Sequence, residues 1–144
     1  MAGLVSDSLP RVISAKTHGI IDYIHVATNF TAAALFRRNG NVRASNCALA
    51  LGANVLLNAL CTDYEVGVFR LWNFKVHGIL DYGVAATSAA MPAMFGFHDT
   101  PEAAYFYGQG AGETAIAAIT DYDDDSGARR HRRSNVREFE TRAA

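Results

Sequence analysis

Two short stretches, KTHGIIDY from Lys16 to Tyr23 and KVHGILDY from Lys75 to Tyr82, each place a histidine four residues before an aspartate, with a glycine beside the histidine. On a helix of 3.6 residues per turn His18 and Asp22 share a face, and so do His77 and Asp81. His25 and Asn29 continue the first of these faces. Asn54 with Asn58, and Gln109 with Glu113, are two further polar pairs at helical spacing. Histidine and carboxylate on one face can form a hydrogen-bonded lock, ligate a metal ion or haem iron, or relay a proton. There is no set of nucleophile, base and oxyanion donors, so an enzyme is not expected. Nor is there an E-x-x-H pair or a C-x-x-C-H attachment motif.

Four segments must carry these groups, at about 14–37, 44–62, 69–97 and 101–120. The Asn39-Gly40 turn signal closes the first, and Thr100-Pro101 reads as cap and first turn of the fourth. Pro92 predicts a kink inside the third. The formal charge is −1, which gives no case for nucleic acid, and the charges gather at segment ends. Residues 44–62 and 82–97 contain no ionisable group except two cysteines and Tyr82. A helix of a soluble bundle needs a polar face, whereas these runs approach the ~20 apolar residues that cross a bilayer. Small residues recur every four positions at Ala48 and Gly52 and at Ala104, Gly108 and Gly112, a pattern that lets helices pack closely in lipid. Gly19 and Gly78 are expected to let the first and third helices cross.

The chain is internally duplicated. Lys16, His18, Gly19, Ile20, Asp22 and Tyr23 match Lys75, His77, Gly78, Ile79, Asp81 and Tyr82, and Thr62-Asp63-Tyr64 matches Thr120-Asp121-Tyr122. The expected fold is therefore all-α, a four-transmembrane-helix bundle of two tandem duplicated helical hairpins (repeat 1 at 14–65, repeat 2 at 73–122). Residues 1–13 precede the bundle and a charged tail, 123–144, follows it. Two hairpins entering with the same orientation form a parallel repeat and put both termini on one side. The Lys and Arg balance weakly favours the cytoplasm. No cleavable signal peptide is evident. Cys47 and Cys61 are about 21 Å apart on one helix, too far for a bridge.

The second hairpin, VHGILDYGVAATSAAMPAMFGF followed by YFYGQGAGETAIAAITDYD, resembles small bacterial integral-membrane proteins of the SPW-repeat type. In these a helix opening H-x-x-x-D leads to a Ser-Pro-Trp element, and a second helix carries a G-x-x-E-like patch before a threonine turn. Met91-Pro92-Ala93 stands here where Ser-Pro-Trp is expected, and the first copy has no proline there. The resemblance implies a fold embedded in the bacterial cytoplasmic membrane and brings no activity with it.

Counted from the nearest charged end, Asp81 lies about 9 Å deep, Asn58 about 7.5 Å and Glu113 about 12 Å. His18, Asp22, His25, Asn54, Asn58, His77, Asp81, Gln109 and Glu113 are thus expected to form one buried polar layer. Such groups face inward and pair. The expected role is structural, an accessory subunit in a larger membrane assembly, with lipid and other membrane subunits as partners and no cofactor. The first alternative is a redox protein holding haem b or a metal ion on His18 and His77, with Asp22, Asp81 and Glu113 as further ligands. The second is transfer of protons or small solutes. The aromatics Tyr23, Tyr64, Trp72, Phe74, Tyr82 and Tyr122 are expected in an interfacial belt. Arg129, Arg130, Arg132 and Arg133 could meet anionic headgroups.

Overall fold

The computed structural model describes residues 9–124, so the tail arginines lie outside the described residues. Four helices run in chain order: α1 Ala15–Arg38, α2 Val42–Cys61, α3 Phe74–Met94 and α4 Ala103–Ala118. Among the described residues there is no strand, only two isolated bridges. Each of the first three helices starts on a side chain that accepts from a backbone N–H of the first turn: Ser14 from Thr17, Asn41 from Ala44 and Asn73 from Val76. These caps satisfy donors that a helix leaves open. The α1–α2 turn uses Gly40 at φ 85°, a conformation that costs glycine nothing.

Two expected boundaries differ. Pro92 sits two residues before the end of α3, which stops at Met94 instead of continuing through a kink. Thr100 does not cap α4. Its hydroxyl donates back to the Phe97 carbonyl at 2.8 Å, and residues 101–102 form a turn before the helix.

Within each hairpin the helices pack along their length, α1 on α2 and α3 on α4, and the hairpins meet between α2 and α3. The core is built largely from small side chains, Ala32, Ala33, Ala44 and Ala48, closed by Leu51, Val55, Met91 and Phe106. Gly52 is a close-packing position: a Cβ there would lie 2.8 Å from the Phe30 ring. Its counterpart in the second hairpin is Gly110, where a Cβ would lie 2.7 Å from the Ala85 carbonyl oxygen. Gly108 and Gly112, expected at that contact, have nothing among the described residues within 4 Å of a built Cβ, and Ala104 is exposed. The helix is rotated so that Gly110 faces α3 and the four-spaced row faces outward.

The two hairpins are tied crosswise at one end. Ile13, ahead of α1, pairs with Thr120 after α4, and Trp72, ahead of α3, pairs with Thr62 after α2. The matching bonds are nearly equal, with Asp121 N–H to the Ile13 carbonyl at 2.9 Å and Asp63 N–H to the Trp72 carbonyl at 2.8 Å. The duplication in sequence is therefore a pseudo-twofold in space. By length and apolarity α2 is the one helix among the described residues that could cross a membrane.

Candidate functional site

At the crosswise end the four residues of the duplicated H-x-x-x-D motif meet. His18 and His77 approach through their Nε2 atoms, 3.2 Å apart, with the rings nearly perpendicular. Each carboxylate touches both rings. Asp22 places Oδ1 3.4 Å from His18 Nε2 and Oδ2 3.3 Å from His77 Nε2, while Asp81 places Oδ2 and Oδ1 3.2 Å from the same two atoms. All four residues are 3% exposed or less. Each histidine Nε2 thus lies within ion-pair distance of its own i+4 aspartate and of the aspartate of the other repeat.

The outer nitrogens of the rings fix the tautomers. His18 Nδ1 is 2.9 Å from Thr120 Oγ1, and His77 Nδ1 is 2.8 Å from Thr62 Oγ1. Both hydroxyls give their single proton to the carbonyl four residues back, Ile116 at 2.7 Å and Asn58 at 2.6 Å. A carbonyl has no proton to offer, so the threonines accept and both Nδ1 atoms donate. The Nε2 atoms then face each other and four carboxylate oxygens, a centre of acceptors that must contain positive charge. Protons on the imidazoles or a bound cation can supply it.

A shell of donors surrounds the carboxylates. The Tyr64 hydroxyl donates to Asp22 Oδ2 at 3.0 Å and the Tyr122 hydroxyl to Asp81 Oδ2 at 2.8 Å. Burial pushes both phenols far above their usual range, with the neighbouring carboxylates adding to the effect, so they remain donors at neutral pH. Asp81 also accepts from Asn58 Nδ2 at 3.1 Å, and Trp72 Nε1 donates to Asn58 Oδ1 and Thr62 Oγ1, both at 3.1 Å. Gly19 and Gly78 make room for the tyrosines: a Cβ at Gly19 would lie 2.7 Å from Tyr64, and one at Gly78 2.7 Å from Tyr122. They do not mediate a crossing of α1 with α3, as the sequence suggested.

The expected single polar layer is two levels. His25 lies seven residues beyond His18, about 10 Å deeper, where His25 Nδ1 meets Glu113 Oε2 at 2.9 Å. Asn29, fully buried, accepts from the Tyr105 hydroxyl at 3.1 Å. Neither His25 Nε2 nor Gln109 Nε2, both buried, has a hydrogen-bond partner among the described residues. In the duplicated frame His25 and Glu113 correspond to Val84 and Val55, both buried and apolar, so this level breaks the pseudo-twofold. Asn54 is exposed and joins neither level.

Tyr64, Tyr122 and Trp72, expected in an interfacial belt, bond into the centre instead, and Thr62 and Thr120 had no expected role. The signal for four of these five was present: the repeated Thr-Asp-Tyr closes both hairpins as the His-Asp motif opens them. A haem does not fit between the histidines. Trans nitrogens bonded at about 2 Å stand about 4 Å apart, whereas these are 3.2 Å apart and flanked on contact by both carboxylates. His18, His77 and Asp81 do offer three ligand atoms within 4.8 Å of one another, a spacing suited to a single ion. Glu113 belongs to the deeper pair with His25. Comparison with protein-family models, with curated proteins and with solved structures found no match.

Proposed function

We propose that the chain is an integral membrane protein in which the buried His-Asp centre pins two hairpins together, and that it serves as a structural or accessory subunit of a larger membrane assembly. One observation carries the membrane reading: between the charged residues at their ends, the outer faces of all four helices are free of charge. Between Lys16 and Arg37, Arg43 and Asp63, Lys75 and His98, and Glu102 and Asp121, the titratable acids and histidines are His18, Asp22, His25, His77, Asp81 and Glu113. Every one of them points inward and is paired. The outward side chains include Ile20, Ile24 and Leu35 on α1, Leu49 and Leu57 on α2, and Ile79 on α3. Lys16 to Arg37 covers about 31 Å along the helix, close to the ~30 Å hydrocarbon thickness.

This inverted polarity explains why composition favours α2 alone. The helices α1 and α3 carry the centre's ionisable groups, which lower mean hydropathy although lipid would not meet them, and α4 has only 16 residues. The accessory role is supported by smooth outer surfaces. Gly83, Gly108 and Gly112 have open space around a built Cβ, which suits close approach of a helix from another subunit. The H-x-x-x-D openings keep the SPW-repeat type as the proposed relationship, and the cytoplasmic membrane with both termini inside as the proposed location.

The protein is expected to resist alkaline carbonate extraction and to need detergent for recovery; recovery in the soluble fraction without detergent would defeat this reading. A finer test is Ile24→Asp, at an outward position 62% exposed and about 12 Å from the Lys16 level. In lipid the change costs up to roughly 3 kcal/mol of insertion, visible as a severalfold drop in membrane-integrated protein. On a soluble surface it would be neutral within about 0.5 kcal/mol.

A further inference from the structure

We infer that the His-Asp centre binds one divalent first-row transition ion of the zinc type, with His18 Nε2, His77 Nε2 and Asp81 as ligands and Asp22 as the fourth donor. The inference rests on the reading that this centre joins the hairpins, and it names what supplies the centre's positive charge.

Three observations converge. First, Thr62 and Thr120 hold both Nδ1 atoms as donors, which turns both Nε2 lone pairs toward the centre. An outer hydrogen bond that fixes the tautomer is the usual support of a metal-bound histidine. Second, the spacing is that of ligands around an ion. Donors about 2.0–2.1 Å from a tetrahedral ion stand about 3.3 Å apart; the two Nε2 atoms are 3.2 Å apart, each has one oxygen of either aspartate at 3.2–3.4 Å, and one ligand atom each from His18, His77 and Asp81 lie within 4.8 Å of one another. Third, the charge closes. Two carboxylates with two neutral imidazoles balance one divalent ion, whereas two imidazolium groups would turn like-charged N–H groups on each other across 3.2 Å. Nitrogen and carboxylate donors together favour zinc-like ions over calcium or magnesium, which prefer all-oxygen sites. The carboxylates are held in turn by Tyr64, Tyr122 and Asn58, so ligand orientation is set before the ion arrives.

The test uses the full chain purified in detergent, stripped with chelator and titrated with Co²⁺ while visible absorbance is followed, then with Zn²⁺ in competition. One equivalent of Co²⁺ is expected, with the intense ligand-field bands of a low-coordinate site, displaced by one equivalent of Zn²⁺. His77→Gln should abolish the signal. Because that variant could unfold, the deciding variant is Thr120→Val, which keeps all four ligands. It should weaken Co²⁺ binding 10- to 100-fold with an unchanged circular dichroism spectrum. A folded chain that takes up no Co²⁺ or Zn²⁺ overturns the inference, as does unchanged affinity in a folded Thr62→Val/Thr120→Val double variant. Neither outcome touches the joining role of the centre. That role fails separately, if the quadruple variant His18→Gln/Asp22→Asn/His77→Gln/Asp81→Asn is as stable as the parent chain.

Discussion

Asp81→Ala is expected to be among the most destabilising single substitutions in the chain, at about 3–5 kcal/mol, the cost of removing one side of a buried ionic pair. The carboxylate receives four contacts: His18 and His77 at 3.2 Å, Asn58 at 3.1 Å and Tyr122 at 2.8 Å. Deleting it strands the Tyr122 hydroxyl and the Asn58 amide without that acceptor, and leaves the two rings with Asp22 alone. Asp22→Ala should cost less, because Asp22 lacks the asparagine: the position matching Asn58 in the second repeat is Ile116. Asp81→Asn should fall between the parent and Asp81→Ala, since it keeps the volume and one acceptor oxygen but removes the charge. Thermal unfolding of the detergent-solubilised protein, followed by circular dichroism, orders the three. A loss below about 1 kcal/mol for Asp81→Ala would show that the centre does not hold the hairpins together.

The all-helical architecture was legible in the sequence because it rests on local signals: the Asn-Gly turn after the first segment and polar pairs at helical spacing in each of the four segments. The identity of the central residues was legible for the same reason, since His18 with Asp22 and His77 with Asp81 are set on one face by helix geometry alone. What helical spacing does not contain is rotation about the axis. Gly108 and Gly112 form a regular row and so does Gly110 with its neighbours; only the approach of Ala85 decides which of them α3 meets. Asn54 likewise has the spacing of an inward residue but sits on the outer edge of α2. Depth along the axis is coarser still. Glu113 falls within a few ångströms of Asp81 when both are counted from their helix ends, yet it pairs with His25 a level below.

The partners in the loops were hidden for a different reason. Tyr64 and Tyr122 look interfacial because they follow Thr-Asp at helix ends, and a tyrosine in such a place commonly joins an aromatic belt. They turn inward because glycines at 19 and 78 leave a ring-sized gap above each aspartate, a complementarity between residues about 45 positions apart that no local pattern reveals. Trp72 follows the same logic, drawn in by the crosswise bridge at Thr62.

That dependence on absent side chains gives a second large expected effect, in a graded series of glycine substitutions. Gly67→Ala should be the most damaging, because its Cβ would run into the Thr62 backbone oxygen. Backbone held by the Asp63–Trp72 bond cannot move aside without moving the hydroxyl that fixes His77. Loss of several kcal/mol, or failure to recover folded protein, is the expected outcome. Gly19→Ala and Gly78→Ala press instead on aromatic rings at 2.7 Å, and Gly19→Ala presses first on the Val66 side chain. Each ring must swing off its aspartate, which breaks a buried hydrogen bond and crowds the core, at about 1–3 kcal/mol. Gly108→Ala and Gly112→Ala meet nothing among the described residues within 4 Å, so they should stabilise the isolated protein by about 0.5–1 kcal/mol through helix propensity alone. If the outer row is where another subunit's helix docks, these two variants should gain thermal stability in detergent yet lose co-purifying membrane partners. Equal stability loss at Gly78 and Gly108 would mean that the inward turn of Tyr122 is not what Gly78 permits.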